Sequence, residues 1–273
     1  MSVIANNRFL QRTNPTMLAA IDDGGSVLDR VYIQNAARQI VDQGHWDNLK
    51  FWGHNGLAKL RTSGGVDYVP KLYDLSGTGI DLLQTVDGRQ PKWVSNGIEF
   101  DGSDDRLHVT GNATIAAITE LTLTCWMYIR PVVSTAVPGF LGSENGHIGS
   151  VKLTVDSVDI VRLNGRNSSG GNVVSDDTAY TANTWNHIVV ARKTGEDHRF
   201  YFNNAELTNN SPNENQTIQT LNGDLAIGCR HNTTSFDLFC DDTLNDIRIY
   251  DTALSATEIS DIYNQTKSYY GIS

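Results

Sequence analysis

The sequence lacks several features that would place it in a familiar class of protein. No apolar run among its 273 residues approaches the roughly 20 needed to cross a bilayer, so we expect no membrane insertion. The start, MSVIANNRFLQRTNPT, has no apolar h-region, which predicts that there is no secretory signal peptide. Positive charge is scarce, since 21 Lys and Arg face 31 Asp and Glu. With a net charge of -10, the chain lacks the basic patch that a nucleic-acid partner requires.

Cysteine is also rare. The chain has three, Cys125, Cys229 and Cys240, and an odd count without a signal peptide favours free thiols over a disulfide framework. Cys125 lies in an apolar segment, where a small buried side chain fits. Cys229 and Cys240 could face each other on neighbouring strands, and the sequence alone leaves that pairing open.

The residues that are abundant indicate an all-β domain. Hydrophobic residues make up 39% of the chain, and its many Asn, Thr, Ser and Gly residues suit short strands joined by tight turns. From Trp93 onward, short alternating segments follow one another, and residues 121–129 are the clearest of them. About a dozen such strands predict a two-sheet antiparallel β-sandwich.

The N-terminal part differs from the rest. Residues 27–43 carry apolar side chains near one helical face before Gly44, which predicts a helix. Helical spacing of Trp46, Leu49 and Trp52 predicts a second short helix over residues 45–52. We therefore expect residues 1–72 to form a partly helical extension that serves docking or assembly, and residues 73–273 to form the sandwich.

Near the other end, residues 244–250 alternate as a strand does. Ile247 and Ile249 are expected on one face, with Asp246 and Arg248 on the other. This strand is followed by the signature of a short C-terminal helix.

That helix has a well-defined start. Ser255 is predicted to cap it, and Glu258, three residues later, completes a capping box. Leu254 and Ile259 are placed to form a hydrophobic staple, which sets the angle at which the chain enters the helix.

Several segments resemble concanavalin A-like, laminin G-like domains. YDLSGTGIDLLQ and GIEFDGSDDRLHV, at residues 73–84 and 97–109, are similar to the D-x-S-G-x-G loop and F-D-G-x-x-D-x-L corner of those domains. ITELTLTCWMYIRP at 118–131 resembles their core strand, and residues 183–207 resemble their W-x-H-V-V strand and hairpin partner, with Ala205 where Gly is usual. The resemblance implies a concanavalin A-like jelly roll, a fold used more for binding and adhesion than for catalysis.

A further segment, ARQIVDQGHWDNLKFW at 37–52, is similar to segments that precede laminin G-like domains in particle proteins of tailed bacteriophages. This resemblance implies a non-catalytic virion structural protein, either a capsid decoration or a tail adhesin, made in the host cytoplasm. Its expected partners are other virion proteins, further copies of itself and cell-surface glycans. The alternatives are a free carbohydrate-binding, lectin-like module and a glycoside hydrolase of the same fold.

The hydrolase alternative depends on one acidic triplet. Glycoside hydrolases with this sandwich place an E-x-D-x-x-E set on a strand, which directs the carboxylates into one cleft. The nearest match is Glu99, Asp101 and Asp104, but Gly102 and Ser103 predict a turn that would carry Asp104 out of line. We therefore predict no catalytic residues.

A structural calcium ion is the candidate cofactor. Calcium prefers carboxylate and carbonyl oxygens, and in similar sandwiches such an ion joins the first strand to the last. Carried over to this chain, the ligands would be Asp101, the carbonyl of Gly102, and Asp246. The alternative is that Asp101 and Asp104 only cap a turn through side-chain hydrogen bonds.

The sequence does not specify a glycan-binding site. Trp126 and Trp185 occupy strand motifs that are usually packed inside, and His187 is predicted to be structural. The remaining candidates are Tyr180 and the loops around Asn145 and His231.

Overall fold

The structure is a computed structural model that describes residues 16–131, 152–156, 160–166, 172–174, 178–193, 195–208, 223–232 and 235–273. Residues 16–22 are helical, and the other helices are Arg30–Asp42 (α1), Ala113–Ala116 (α2) and Ala256–Thr266 (α3), with 3-10 turns at Trp46–Asn48, Asp87–Arg89 and Lys267–Tyr270. The strands are Gly25–Val27 (β1), Leu49–Ser63 (β2), Val66–Asp74 (β3), Leu82–Leu83 (β4), Lys92–Val94 (β5), Gly97–Glu99 (β6), Leu107–Val109 (β7), Leu121–Ile129 (β8), Lys152–Asp156 (β9), Ile160–Arg166 (β10), Asn172–Val174 (β11), Thr178–Ala179 (β12), Thr184–Arg192 (β13), Arg199–Phe202 (β14), Ala205–Leu207 (β15), Leu225–Ile227 (β16), Arg230–Asn232 (β17), Ser235–Asp237 (β18) and Thr243–Tyr250 (β19).

The described chain is mostly β-structure, as predicted. One 13-stranded sheet runs in the order β15-β14-β13-β8-β19-β6-β5-β3-β4-β7-β16, with β1 and β2 attached, beside a 4-stranded and a 2-stranded sheet. Strand β2 pairs with both β19 and β3, so the pairings β19–β6–β5–β3–β2 close into a ring. The pairing pattern therefore does not divide the large sheet into the two separate sheets that the sequence predicted. No helix in the described residues is long and apolar enough to span a membrane.

The best-predicted elements lie at the centre of this sheet. Strand β8 has the predicted bounds, Leu121–Ile129, and pairs antiparallel with β13 over nine residue pairs. On its other side β8 pairs with β19. The three cysteines are free, as predicted, and all of them are buried, including Cys125, for which burial was predicted.

The predicted helix over residues 45–52 is wrong. A 3-10 turn at Trp46–Asn48 leads directly into β2, which pairs antiparallel with β19. Trp46, Leu49 and Trp52 are fully buried, but burial on both faces of the strand hides the alternation that would have marked it. Because β2 and β3 belong to the large sheet, the expected boundary between residues 72 and 73 falls inside β3.

The C-terminal helix follows the prediction closely. Ser255 accepts from the backbone N–H of Glu258, and the Glu258 side chain accepts from the backbone N–H of Ser255, so the capping box is complete. Leu254 and Ile259 are both buried in the same apolar cluster, consistent with the staple. A helix seated in this way covers one side of the sheet.

The closing strand has the two predicted faces, but both of them are buried. All eight residues of β19 are buried, so neither face meets water. Asp246 has a positive φ of 47°, and the register with β8 shifts between Asn245 and Arg248, which marks a bulge. Ile247 and Ile249 pack in one apolar cluster, whereas Arg248 is hydrogen-bonded to Asp246 on the other face, as the alternation predicted.

Candidate functional site

The predicted site residue Asp101 lies at an exposed turn after β6. Its Oδ1 accepts the backbone N–H of Ser103 at 2.9 Å, and Gly102 supplies the left-handed conformation that the turn requires, with φ 73°. The ligand oxygens of Asp101, Asp104 and Asp105 lie within 4.8 Å of one another. We call these three residues the acidic corner.

Asp105 differs from its two neighbours because it is buried. Only 5% of it is exposed, and among the described residues no side chain donates a hydrogen bond to its carboxylate. Burial, followed by repulsion from Asp101 and Asp104, raises the pKa of Asp105 to about 7. The acidic corner therefore holds one carboxyl group, Asp105, that keeps its proton up to about pH 7.

Asp246 is not part of the acidic corner. Glu99 pairs with Thr243, and the Gly102 N–H donates to the Cys240 carbonyl, so Asp101 lies across from the residues just before β19. In this antiparallel register, Asp101 and Asp246 are five positions apart along the strands, or roughly 16 Å. The predicted calcium ligands Asp101 and Gly102 are therefore not brought together with Asp246, and calcium binding itself stays a prediction.

Asp246 instead lies at the centre of a buried polar cluster, which we call the Asp246 centre. Arg248 donates two hydrogen bonds to its carboxylate, at 2.9 and 2.7 Å, and Trp52 Nε1 donates a third at 2.7 Å. Tyr32 Oη donates a fourth at 2.6 Å. Burial opposes ionisation, but the Arg248 charge and these donors hold the pKa of Asp246 below its usual range. With all these donors in place, Asp246 has a structural role.

The neighbours of the Asp246 centre are also buried. His54 stacks on Tyr32 with ring centroids 4.8 Å apart, and burial lowers the pKa of His54 to about 4. His187 lies against Trp126, with centroids 5.0 Å apart, and burial lowers its pKa to about 3. Both imidazoles are therefore neutral near pH 7, and the prediction of a structural His187 is confirmed.

The acidic triplet considered for hydrolysis is taken up by other contacts. Glu99 forms ion pairs with Arg130 at 2.7 Å and Lys92 at 3.5 Å. Asp101 caps its turn, while Asp104 pairs with Arg89 at 3.3 Å. Only Glu99 belongs to a strand, while Asp101 and Asp104 lie in the turn that the sequence predicted.

The described residues that were considered for glycan binding are buried. Trp126 is fully buried, with Nε1 donating to Thr266 Oγ1 at 2.9 Å, and Trp185 is 9% exposed, so the packing predictions for both are confirmed. Tyr180 is buried, and His231 pairs with Asp224 at 3.0 Å in a buried position. Asn145 lies outside the described residues.

The sequence missed an open cleft of about 470 Å³ beside the acidic corner, which we call the polar cleft. Asp101 and Asp105 line one part of it, and Arg61, Tyr68 and Lys92 line another. The Arg61 guanidinium lies over the Tyr68 ring, 4.8 Å from its centroid. The residues come from β2, β3, β5 and the acidic corner, so no contiguous motif could have identified the cleft.

The closed sheet with its buried centre defines a mostly β fold, and the sequence comparison specifies the family. Residues 101–260 match the concanavalin A-like lectin/glucanases superfamily, and the chain therefore belongs to that superfamily. No curated protein matches the chain.

Among the solved structures with a similar fold are binding domains of toxins. The binding domain of Paraclostridial Mosquitocidal Protein 1 is 20% identical, with a TM-score of 0.55 over 82% of this chain and 53% of that one. The botulinum neurotoxin serotype D binding domain is 14% identical, with a TM-score of 0.58 over 81% and 52%. A third structure comes from botulinum neurotoxin type C, whose cell entry is described as dependent upon interaction with two ganglioside molecules. It is 13% identical, with a TM-score of 0.55 over 82% of this chain and 52% of that one. The chain thus spans about half the length of these structures.

Proposed function

We propose that this protein is a non-catalytic binding module that recognises cell-surface glycans through the polar cleft. The superfamily contains both lectins and glucanases, so membership alone leaves the two open. The observation that carries the proposal is the state of the acidic triplet, because Glu99 is neutralised by Arg130 and Lys92. A glycosidase uses two carboxyl groups that flank one bond, and the ion pairs of Glu99 support the view that it does not serve as one of them.

The polar cleft has the groups that sugar recognition uses. An aromatic ring can pack against the apolar face of a sugar, and carboxylates accept hydrogen bonds from its hydroxyls. Tyr68 supplies the ring, while Asp101 and Ser63 supply polar atoms at the same opening. The toxin domains that share the fold are described as receptor-binding or ganglioside-dependent, which supports a binding role at the level of class.

The proposal is tested on a glycan array with the wild type, Tyr68→Ala and Val66→Ala. Both residues lie on β3, but Val66 does not line the cleft, so it is a matched control. We expect Tyr68→Ala to weaken binding about tenfold, since an aromatic platform contributes on the order of 1 kcal/mol beyond its area. Equal binding by all three proteins, or no glycan bound by the wild type, would overturn the polar cleft as the site.

We further propose that the protein is a component of a virion, because residues 37–52 resemble segments of particle proteins of tailed bacteriophages. In the structure, Trp46, Leu49 and Trp52 of that segment are buried, so packing is sufficient to account for them. Mass spectrometry of purified phage particles from the source tests this setting. Absence of the protein from intact particles would contradict it, while leaving glycan binding untouched.

A further inference from the structure

A second cleft, of about 510 Å³, lies between the start of α1 and the end of α3. Arg30, Tyr32 and Asn35 line it from one side, and Gln265 and Tyr269 from the other. We call it the chain-end cleft because one wall lies near the start of the chain and the other near its end, more than 200 residues later. It shares no lining residue with the polar cleft.

The aromatic wall of the chain-end cleft is fixed in place. Tyr269 Oη donates to Asp29 Oδ2 at 2.8 Å, and Tyr32 Oη donates to the buried Asp246 at 2.6 Å. The two rings pack against each other with centroids 4.3 Å apart. Since both hydroxyls are held by carboxylates, a ligand meets rings that are already ordered, which lowers the entropic cost of binding.

The polar groups at the rim are free to bind. Among the described residues, the side chains of Arg30, Asn35 and Gln265 have no hydrogen-bond partner, and all three are exposed. Asp29 also lines the cleft, and its Oδ2 is the oxygen that Tyr269 occupies. Arg30 and Asp29 are the charged side chains among the lining residues, so the lining has no formal net charge, which suits a neutral ligand.

Asp29 is also strained in its backbone. It precedes α1 with φ 50°, a left-handed conformation, and its side chain does not cap the helix. An aspartate just before a helix normally stabilises the helix by accepting a backbone N–H from its first turn. The Asp29 side chain accepts the Tyr269 hydroxyl instead, so α1 lacks that stabilisation while Tyr269 is held in place.

We propose that the chain-end cleft is a second saccharide site, which takes a neutral sugar ring independently of the polar cleft. The Tyr269 ring offers an apolar face to the C–H groups of the sugar. The amides of Asn35 and Gln265 can each donate to and accept from its hydroxyls. The ligand class rests on the proposed function, whereas the location rests on the geometry of this cleft alone.

The test uses methyl glycosides of glucose, galactose, mannose and N-acetylglucosamine, titrated into the whole protein by ligand-observed NMR. Asn35→Ala and Gln265→Ala remove the two amides, and we expect each to weaken binding about three- to tenfold. Gln34→Ala and Asn264→Ala are matched controls, because each is the neighbouring exposed amide that does not line the cleft. The controls should bind as the wild type does, and melting curves should confirm that all four variants fold.

Two results would overturn the second site: no methyl glycoside binding to the wild type at millimolar concentration, or equal losses in the variants and their controls. Tyr68→Ala separates this proposal from the proposed function. If Tyr68→Ala abolishes all binding while Asn35→Ala has no effect, the polar cleft stands and the chain-end site falls. If only the Asn35 and Gln265 variants lose binding, the chain-end site stands and the polar cleft falls.

Discussion

The acidic corner and the Asp246 centre both depend on aspartate, but the two regions use it in opposite ways. In the acidic corner, three carboxylates from residues 101–105 crowd together at a turn. In the Asp246 centre, one carboxylate is surrounded by donors from Tyr32, Trp52 and Arg248. The first region is local in sequence and leaves Asp105 without an ion pair, whereas the second is assembled across about 200 residues and pairs Asp246 with Arg248. The hydrogen-bond donors and charges around a buried carboxylate, more than its residue type, therefore decide whether it is ionised.

The Asp246 centre should show the larger response to loss of a charge. Asp246→Asn keeps the shape and tolerates the left-handed backbone, but it leaves Arg248 buried without its counter-ion. We expect a loss of about 3–5 kcal/mol in the free energy of unfolding, measured by urea denaturation. Since ionised Asp246 is favoured in the folded state, its contribution is present at neutral pH and is lost as the medium becomes strongly acidic.

Asp101→Asn is the matched control for that measurement. Asp101 is exposed, and the asparagine carbonyl can still accept the Ser103 N–H, so the change should stay below about 1 kcal/mol. Similar losses in the two variants would remove the contrast between the acidic corner and the Asp246 centre.

Replacing Asp105 should raise the free energy of unfolding, whereas replacing Asp246 should lower it. Its pKa is about 7 in the folded protein, whereas an unfolded aspartate ionises near pH 4, so the folded state holds an extra proton between these values. The free energy of unfolding therefore falls as the pH rises from about 4 to about 7. We expect Asp105→Asn to stabilise the protein by about 1–2 kcal/mol at pH 8, after allowance for solvent screening, and by less at pH 5. Urea denaturation at the two pH values measures this, with exposed Asp197→Asn as the control.

Calcium binding would test the repulsion among the three carboxylates of the acidic corner, because a bound cation would relieve it. If the acidic corner binds calcium, the ion should raise the melting temperature of the wild type at pH 8 relative to EDTA, and Asp105→Asn should reduce the difference. Identical melting temperatures with calcium and with EDTA would contradict the predicted ion. A calcium effect that survives Asp105→Asn would place the ion elsewhere.

The capping box should give the smallest effect. Ser255→Ala removes the side-chain acceptor for the Glu258 N–H, at a cost of about 1 kcal/mol, and Ser255→Asp should restore most of it. Thermal unfolding of the three proteins measures the order. If Ser255→Ala cost as much as Asp246→Asn, local capping would matter as much to this fold as the buried ion pair.

Prediction from sequence succeeded where the determining contacts are close along the chain. The bounds of β8 follow from alternation within nine residues, and the start of α3 follows from Ser255 and Glu258. It failed at β2, where both faces are buried and the apolar residues no longer alternate. The helix spacing of Trp46, Leu49 and Trp52 was a coincidence of packing.

The candidate sites show the same division. The turn at Asp101 was predictable, because an aspartate followed by glycine in this setting bonds to its own backbone. The polar cleft and the chain-end cleft were not, because each collects side chains from separate elements. A sequence signal could at most have marked Tyr68 or Tyr269 as partly exposed aromatics.

By itself, the sequence determined the all-β class, the superfamily resemblance, the free cysteines and the capped C-terminal helix, since each depends on composition or on neighbours a few residues apart. The tertiary structure decided that β2 joins the closing strand and that Asp246 pairs with Arg248 away from the acidic corner. It also decided which side chains line the two clefts. The physical reason is that burial and charge compensation depend on partners about 200 residues away, and no local pattern records them.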